Sequence, residues 1–304
     1  MDKNTCLKFK VSGIDFFKSG QLNNAIEALK KYTEYVSNDE EVLTLLADAY
    51  YKKGFDVSAF EYYSQSLAIN PIHTSNLLKF SALQLEGPNY TRALKFNHDR
   101  LKPSRYIEIG VCKGVSFGLT SPETTSIGID PEPQLDLDAL PKKHVIVSDT
   151  SDNYFARDDV LEEFHDQTFD MAFLDGMHLF EYALRDFMNL EKYSNLNSVV
   201  FVHDVYPMNK ETATRERNSD FWSGDVWKLI LCLQEYRPDL KLEVLPCPPT
   251  GLGVITNLDK HSSILHDKYD EILDKYADLP FSVIEKDRAQ KLLLVDTESV
   301  WLHQ

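Results

Sequence analysis

Several things are scarce in this sequence of 304 residues, and each scarcity excludes something. No apolar run approaches the ~18 residues that a membrane-spanning helix needs. The opening MDKNTCLKFK carries charge but no apolar stretch behind it, so no secretory signal is expected. Cysteine is thinly spread: Cys6, Cys112, Cys232 and Cys247 show neither disulfide-framework nor metal-ligand spacing. Reduced thiols in a cytoplasmic protein are the simplest expectation. Basic charge is in deficit, 32 Lys and Arg against 48 Asp and Glu, for a formal net charge of −16. A protein that tracks a phosphate backbone needs a basic stripe to release counterions, and none is visible, so nucleic acid is not an expected partner. What remains is an ordinary globular composition, 43% hydrophobic and 26% charged, long enough for two modest domains.

The first ninety or so residues repeat. Shifted by 34 positions, Gly13-Ile14-Asp15-Phe16-Phe17-Lys18-Ser19-Gly20 falls on Ala47-Asp48-Ala49-Tyr50-Tyr51-Lys52-Lys53-Gly54, Ala25 on Ala59 and Leu29 on Tyr63. Small residues stand where two helices must approach, and Gly20 and Gly54 fall at the turns, where positive φ costs glycine little. This resembles the tetratricopeptide repeat, a helix–turn–helix unit of that period. A degraded third unit is suggested by Leu77, Leu78, Phe80, Leu83 and Leu85. The repeats imply either a docking surface for a partner protein or second copy, or helices that only stabilise the following domain; two units offer little concave surface.

After Pro103 the texture becomes alternating strand and helix. Tyr106-Ile107-Glu108-Ile109-Gly110 is an apolar strand running into a turn that ends at Gly114, and Ser126-Ile127-Gly128-Ile129-Asp130 is a second strand ending in an acid. Gly110 and Gly114 let backbone pass close to a nucleoside-bearing ligand, and Asp130 can accept bonds from ribose hydroxyls. A glycine turn alone is weak evidence. A dinucleotide site, however, wants G-x-G-x-x-G to seat a pyrophosphate; here the spacing is wider and Glu108 precedes the first glycine, which suits a cationic ligand without phosphate. At this point the chain resembles the class I methyltransferases, whose first motif has this acidic-x-Gly-x-x-x-Gly form. The resemblance implies S-adenosylmethionine as cofactor, with Glu108, Gly110, Gly114 and Ser116 on its methionine side, Asp130 on the ribose, Ser148 and Asp149 near adenine, and Asp175 also in contact with it.

Phe169–Leu174 reads as a strand with Asp175 at its carboxyl end, and Ser198–Val202 as another ending in His203-Asp204. In open parallel sheets ligands bind beyond the carboxyl ends of strands, so these side chains should converge on the transferable methyl. Strand-D-G-x-H-x-x-E, then a strand ending H-D, is similar to a methyltransferase subgroup that tails sugars and natural products. Those relatives often bind Mg²⁺, which implies Asp175 and Asp204 as candidate ligands of a divalent cation. Two positions depart from that pattern: His203 stands where a second acid is common, and Met177 where the base is expected. Magnesium prefers oxygen ligands, so a histidine there points toward another metal or toward loss of the metal. A hydroxyl acceptor still needs its proton removed. His178 is the first candidate base and His203 the second, with Asp175 and Asp204 orienting them.

Residues 205–228 form a long polar segment over these strand ends, as functional loops do. Arg215, Arg217, Trp222 and Tyr206 are its candidate acceptor contacts, and Ser223 or Asp225 its candidate helix cap. The expected architecture is α/β: residues 1–98 all-α helical repeats, 99–258 a Rossmann-like class I methyltransferase sheet, mostly parallel with one antiparallel strand, and 259–304 a C-terminal helix and tail packed on it. The expected function is S-adenosylmethionine-dependent O-methylation of a saccharide or glycosylated natural-product small molecule. The alternatives are an N- or carboxyl-methyltransferase, or a repeat-bearing interaction protein with a degenerate cofactor domain.

Overall fold

The structure is a computed structural model that describes residues 3–136, 140, 143–164 and 168–301. It divides into two compact units, one comprising residues up to Gln84 together with Asn218–Phe221, the other Leu85–Arg217 and Trp222 onward. The first unit contains helices α1 (Lys3–Lys18), α2 (Leu22–Thr33), α3 (Glu40–Lys52), α4 (Asp56–Ile69) and α5, which runs Thr74–Leu85 across the boundary. Gly20 and Gly54, the turn glycines, have φ of +76° and +72°. Gly13 lies where α1 meets α2: a Cβ there would stand 2.5 Å from the Leu29 side chain. Ala25, Ala47 and Ala59 are fully buried at the matching small positions. Asp39 caps α3 by accepting the Val42 N–H at 3.3 Å.

The second unit begins with α6 (Tyr90–Leu101), capped by Asn89, whose side chain accepts the Thr91 N–H at 2.9 Å. Then come β1 (Arg105–Ile109), β2 (Thr125–Ile129), β3 (His144–Val147), α7 (Ser151–Phe155), β4 (Phe169–Leu174), α8 (Phe180–Lys192), β5 (Ser194–His203), α9 (Trp227–Tyr236), β6 (Lys241–Leu245) and β7 (Leu252–Thr256), with short helices α10 (Ile264–Asp267), α11 (Tyr269–Tyr276) and α12 (Arg288–Lys291) after them. The seven strands form one sheet ordered β3-β2-β1-β4-β5-β7-β6, in which β1 to β5 are parallel and β7 runs antiparallel to both neighbours. This is a Rossmann-like α/β sheet, mostly parallel with one antiparallel strand. Strand order reverses between β1 and β4, the place where open α/β sheets hold their ligands.

Asp170 fixes the β1–β4 register, accepting from the backbone N–H groups of Ser104 and Arg105, both at 3.0 Å, and from the Arg105 guanidinium at 2.7 Å. Alternate residues of a strand share a face. Tyr106 and Glu108, Met171 and Phe173, Val199 and Phe201 therefore line one side, where Ala93 and Leu94 of α6 pack into the same core. On α8, Phe180, Ala183, Leu184, Phe187 and Leu190 are buried at helical spacing. Each large side chain of that stripe contributes roughly 1.5–3 kcal/mol by leaving water.

Candidate active site

The glycine turn comes first, because it sets how closely the strand ends approach. Gly110 has φ +87°, and a Cβ there would lie 1.9 Å from the Asp175 carbonyl oxygen, so the β1 and β4 ends can meet only through glycine. Gly114 has φ +73°. Asp130 accepts the Cys112 N–H at 2.7 Å and the Glu132 N–H at 2.8 Å, which ties the end of β2 to the turn. Glu108 is fully buried beneath this turn; it accepts from the Tyr106 hydroxyl at 2.5 Å and the Ser116 hydroxyl at 2.7 Å. Burial, reinforced by the charges of Asp175 and Asp130, outweighs those two bonds and pushes its pKa up to about 8. Ser148 is exposed. Asp149 spends its carboxylate on the Thr150 N–H and the Asn153 amide, each at 2.7 Å, bonds that hold its pKa below the usual range.

At the β4 and β5 ends, Asp175, His178, His203 and Asp204 converge. His178 Nε2 lies 3.2 Å from Asp175 and its Nδ1 3.1 Å from Asp204. His203 Nδ1 lies 3.2 Å from each carboxylate, and its Nε2 is 3.4 Å from the Thr250 hydroxyl. His178 and Asp204 have φ of +58° and +60°, left-handed conformations uncommon outside glycine but adopted by Asp and His more readily than by most residues. Burial opposes charge on all four groups, but the opposite charges at contact distance win. His178 is held at about 9 by Asp204 and Asp175, and His203 well above its ordinary value by the same pair. Asp175 and Asp204 are both lowered. At neutral pH both imidazoles are therefore cationic in the chain alone, and neither takes a proton until the carboxylate charge is offset.

The donor atoms of Asp175, His178 and Asp204 all lie within 4.8 Å of one another. Two carboxylate oxygens and one imidazole nitrogen suit a divalent cation, with the nitrogen favouring a transition metal over magnesium. Binding one would displace the imidazolium proton, since ligands must be deprotonated.

Residues 222–225, in the polar segment after β5, pack against this cluster. Trp222 stacks on the His178 ring, centroids 5.3 Å apart at 17°, and donates its indole N–H to the Thr214 carbonyl at 2.6 Å. Gly224 has φ +59°, and a Cβ there would stand 1.8 Å from the His178 carbonyl oxygen. Asp225 does not cap α9, its expected role. It accepts the Phe180 N–H at 2.7 Å, capping α8 instead, while its other oxygen takes Arg215 and Lys228, each at 2.8 Å. Ser223, the other candidate cap, donates its hydroxyl to the Thr212 carbonyl.

Arg215, read from sequence as an acceptor clamp, is committed to Glu181 at 2.6 Å and to Asp225. Tyr206, read the same way, is only 3% exposed, with the Arg288 guanidinium 5.5 Å from its ring centre, so packing claims it. Arg217 is exposed on the segment. Of the proposed acceptor contacts, Trp222 stands against the His/Asp cluster, on the His178 ring.

Residues 107–205 match the family model of a methyltransferase domain. That match spans 99 of the 304 residues. Among solved structures, the chain is similar to a Klebsiella pneumoniae protein with a provisional O-methyltransferase assignment, at 11% identity over 60% of this chain and 88% of that one, TM-score 0.42. It is similar also to cofactor-bound Rv0187 from MTB, at 14% identity over 58% and 85%, TM-score 0.42. A third is the SAH-bound Podospora anserina methyltransferase PaMTH1, at 17% identity over 66% and 86%, TM-score 0.41. No curated protein matches the sequence.

Two site residues were missed by sequence reasoning. Thr250 reaches His203 from the loop before β7, and Tyr90, at the start of α6, lays its ring 4.2 Å from that of His203. Pro88-Asn89 before Tyr90 does signal a helix start. Nothing local signals that this start lies at the strand ends.

Proposed function

We propose that the chain is an S-adenosylmethionine-dependent methyltransferase that acts on a hydroxyl oxygen of a saccharide or a glycosylated natural-product small molecule. The observation that carries the reading is the double imidazole–carboxylate cluster at the β4 and β5 ends, beside the glycine turn. Methyl transfer from a sulfonium is an in-line displacement that needs mainly positioning. A hydroxyl acceptor adds one demand, removal of a proton, and this cluster is built of groups that exchange protons. In the chain alone His178 accepts a proton only as pH nears about 9. A divalent cation held by Asp175, His178 and Asp204 would lower the acceptor's pKa and offset its developing charge. Trp222 offers a flat apolar face beside His178, a shape that suits a sugar ring. Glu108, Gly110, Gly114, Ser116, Asp130, Ser148 and Asp149 are proposed as the cofactor's surroundings, Glu108 acting through Ser116 because both its oxygens are already taken.

The test is transfer of labelled methyl from S-adenosylmethionine to a panel of glycosides, amines and carboxylic acids. Label on hydroxyls of glycosides is expected; label confined to amines or carboxylates contradicts the reading. Alanine at His178 or His203 is expected to lower turnover by roughly 10²-fold or more. Near-full turnover in both variants would remove them from proton transfer. The helical hairpins of residues 1–98 are proposed as tetratricopeptide-like repeats that dock a partner protein or a second copy, which light scattering of the full chain checks for self-association. A cytoplasmic site of action is proposed on the four free thiols.

A further inference from the structure

The domain match begins at Ile107, yet one residue ahead of it reaches the strand ends. Tyr90 opens α6, and its position is over-determined. Its backbone N–H donates to the Pro248 carbonyl at 3.1 Å, and three residues earlier the Gly87 N–H donates to the Pro246 carbonyl at 3.0 Å. A Cβ at Gly87 would lie 2.1 Å from that carbonyl oxygen, so only glycine lets this segment lie against the loop that supplies Thr250. The Tyr90 ring packs at 4.2 Å from His203 and stacks at 6.2 Å on Phe173, both on the sheet face that also carries Glu108 and Asp175. It is half-buried. Its hydroxyl has no hydrogen-bond partner among the described residues. The burial of this hydroxyl, and the charges of Asp175, Asp204, Glu108 and Cys112 that act on it, keep it protonated.

A buried or half-buried tyrosine usually spends its hydroxyl on a partner. Here an anchored ring holds an unspent hydroxyl against Phe173 and His203 at the β4 and β5 ends, where the charges of Asp175, Asp204 and Glu108 act on it. That is the junction where a cofactor seated on the turn meets an acceptor seated on the cluster. We propose that Tyr90 is a contact of the cofactor's sulfonium end, its hydroxyl oxygen facing the positive charge and the methyl to be transferred. The proposal rests on the S-adenosylmethionine reading. It assigns to the helix ahead of the matched domain a direct part in telling the charged cofactor from its neutral product, S-adenosylhomocysteine.

Titration calorimetry of the full chain with both ligands tests it without knowledge of the acceptor. In the Tyr90→Phe variant the ring and its packing stay and only the oxygen leaves. The preference for S-adenosylmethionine over S-adenosylhomocysteine is expected to fall about fivefold, as loss of one C–H···O contact to the sulfonium methyl implies. Affinity for S-adenosylhomocysteine and the unfolding midpoint should stay at the wild-type values. In Tyr90→Leu the preference should fall at least as far. An unchanged preference in both variants overturns the proposal. So does a parallel loss of affinity for both ligands with a lowered midpoint, which marks a packing residue. Wild-type protein that binds neither ligand refutes the cofactor reading itself, and the proposal falls with it.

Discussion

Replacing Glu108 by Gln should stabilise the catalytic unit, and by an amount that depends on pH in a calculable way. Glu108 is fully buried, and burial raises its pKa from 4.5 to about 8. A folded-state pKa above the unfolded one means that the native state binds the proton more tightly. Stability from this group is then complete below pH 4.5, is lost as pH rises, and has gone by pH 8. At about 1.4 kcal/mol per unit, the loss is about 5 kcal/mol above pH 8 and about 3 kcal/mol at pH 7. Glutamine cannot ionise, and its amide can still accept from Tyr106 and donate to the Ser116 oxygen. The variant should therefore match wild type near pH 4.5, exceed it increasingly up to about pH 8, and keep a constant lead above that. Urea unfolding followed by tryptophan fluorescence reads the right region, since Trp222, Trp227 and Trp301 all lie in the second unit's sequence. A difference between the two proteins that is flat with pH, or a variant less stable throughout, would refute the reasoning.

Asp225→Ala leaves the buried Lys228 ammonium and Arg215 without their shared carboxylate and uncaps α8, so urea unfolding should show a loss of about 3–5 kcal/mol. Gly224→Ala forces a Cβ to within 1.8 Å of the His178 carbonyl at positive φ, so turnover should drop by roughly tenfold or more as the segment lifts off His178. In metal-free protein, residual methyl transfer should rise with pH toward about 9, because His178 carries its proton below that value; a rate flat from pH 6 to 9 would count against His178 as the base.

What was legible in the sequence was local. The first strand and its turn were read from a short apolar run and from Gly110 and Gly114, and these appear as β1 and the positive-φ turn. The convergence of Asp175 with His203 and Asp204 followed from strand ends in a parallel sheet, a topological rule that needs no side-chain detail. Partners across long sequence separations were not legible. A polar residue near a helix start reads as that helix's cap, and Asp225 instead satisfies Phe180, a residue 45 positions away. Arg215 has the chemistry to clamp an acceptor, but the sequence cannot show that Glu181 and Asp225 already occupy it. Glu108 reads as a ligand contact, while the fold places it behind the turn with Tyr106 and Ser116 on its two oxygens. Tyr90 sits in a helix whose composition resembles the repeats before it, so only the fold could bring it to His203.

Calorimetric titration of S-adenosylmethionine into the full chain and into Asp130→Ala tests the central claim most directly. Wild type should bind one equivalent with a dissociation constant between roughly 1 μM and 1 mM. The variant should bind at least about tenfold more weakly, having lost a charged acceptor of hydrogen bonds at the end of β2. Absence of binding by wild type at millimolar ligand, or equal affinity in the two proteins, would contradict the account.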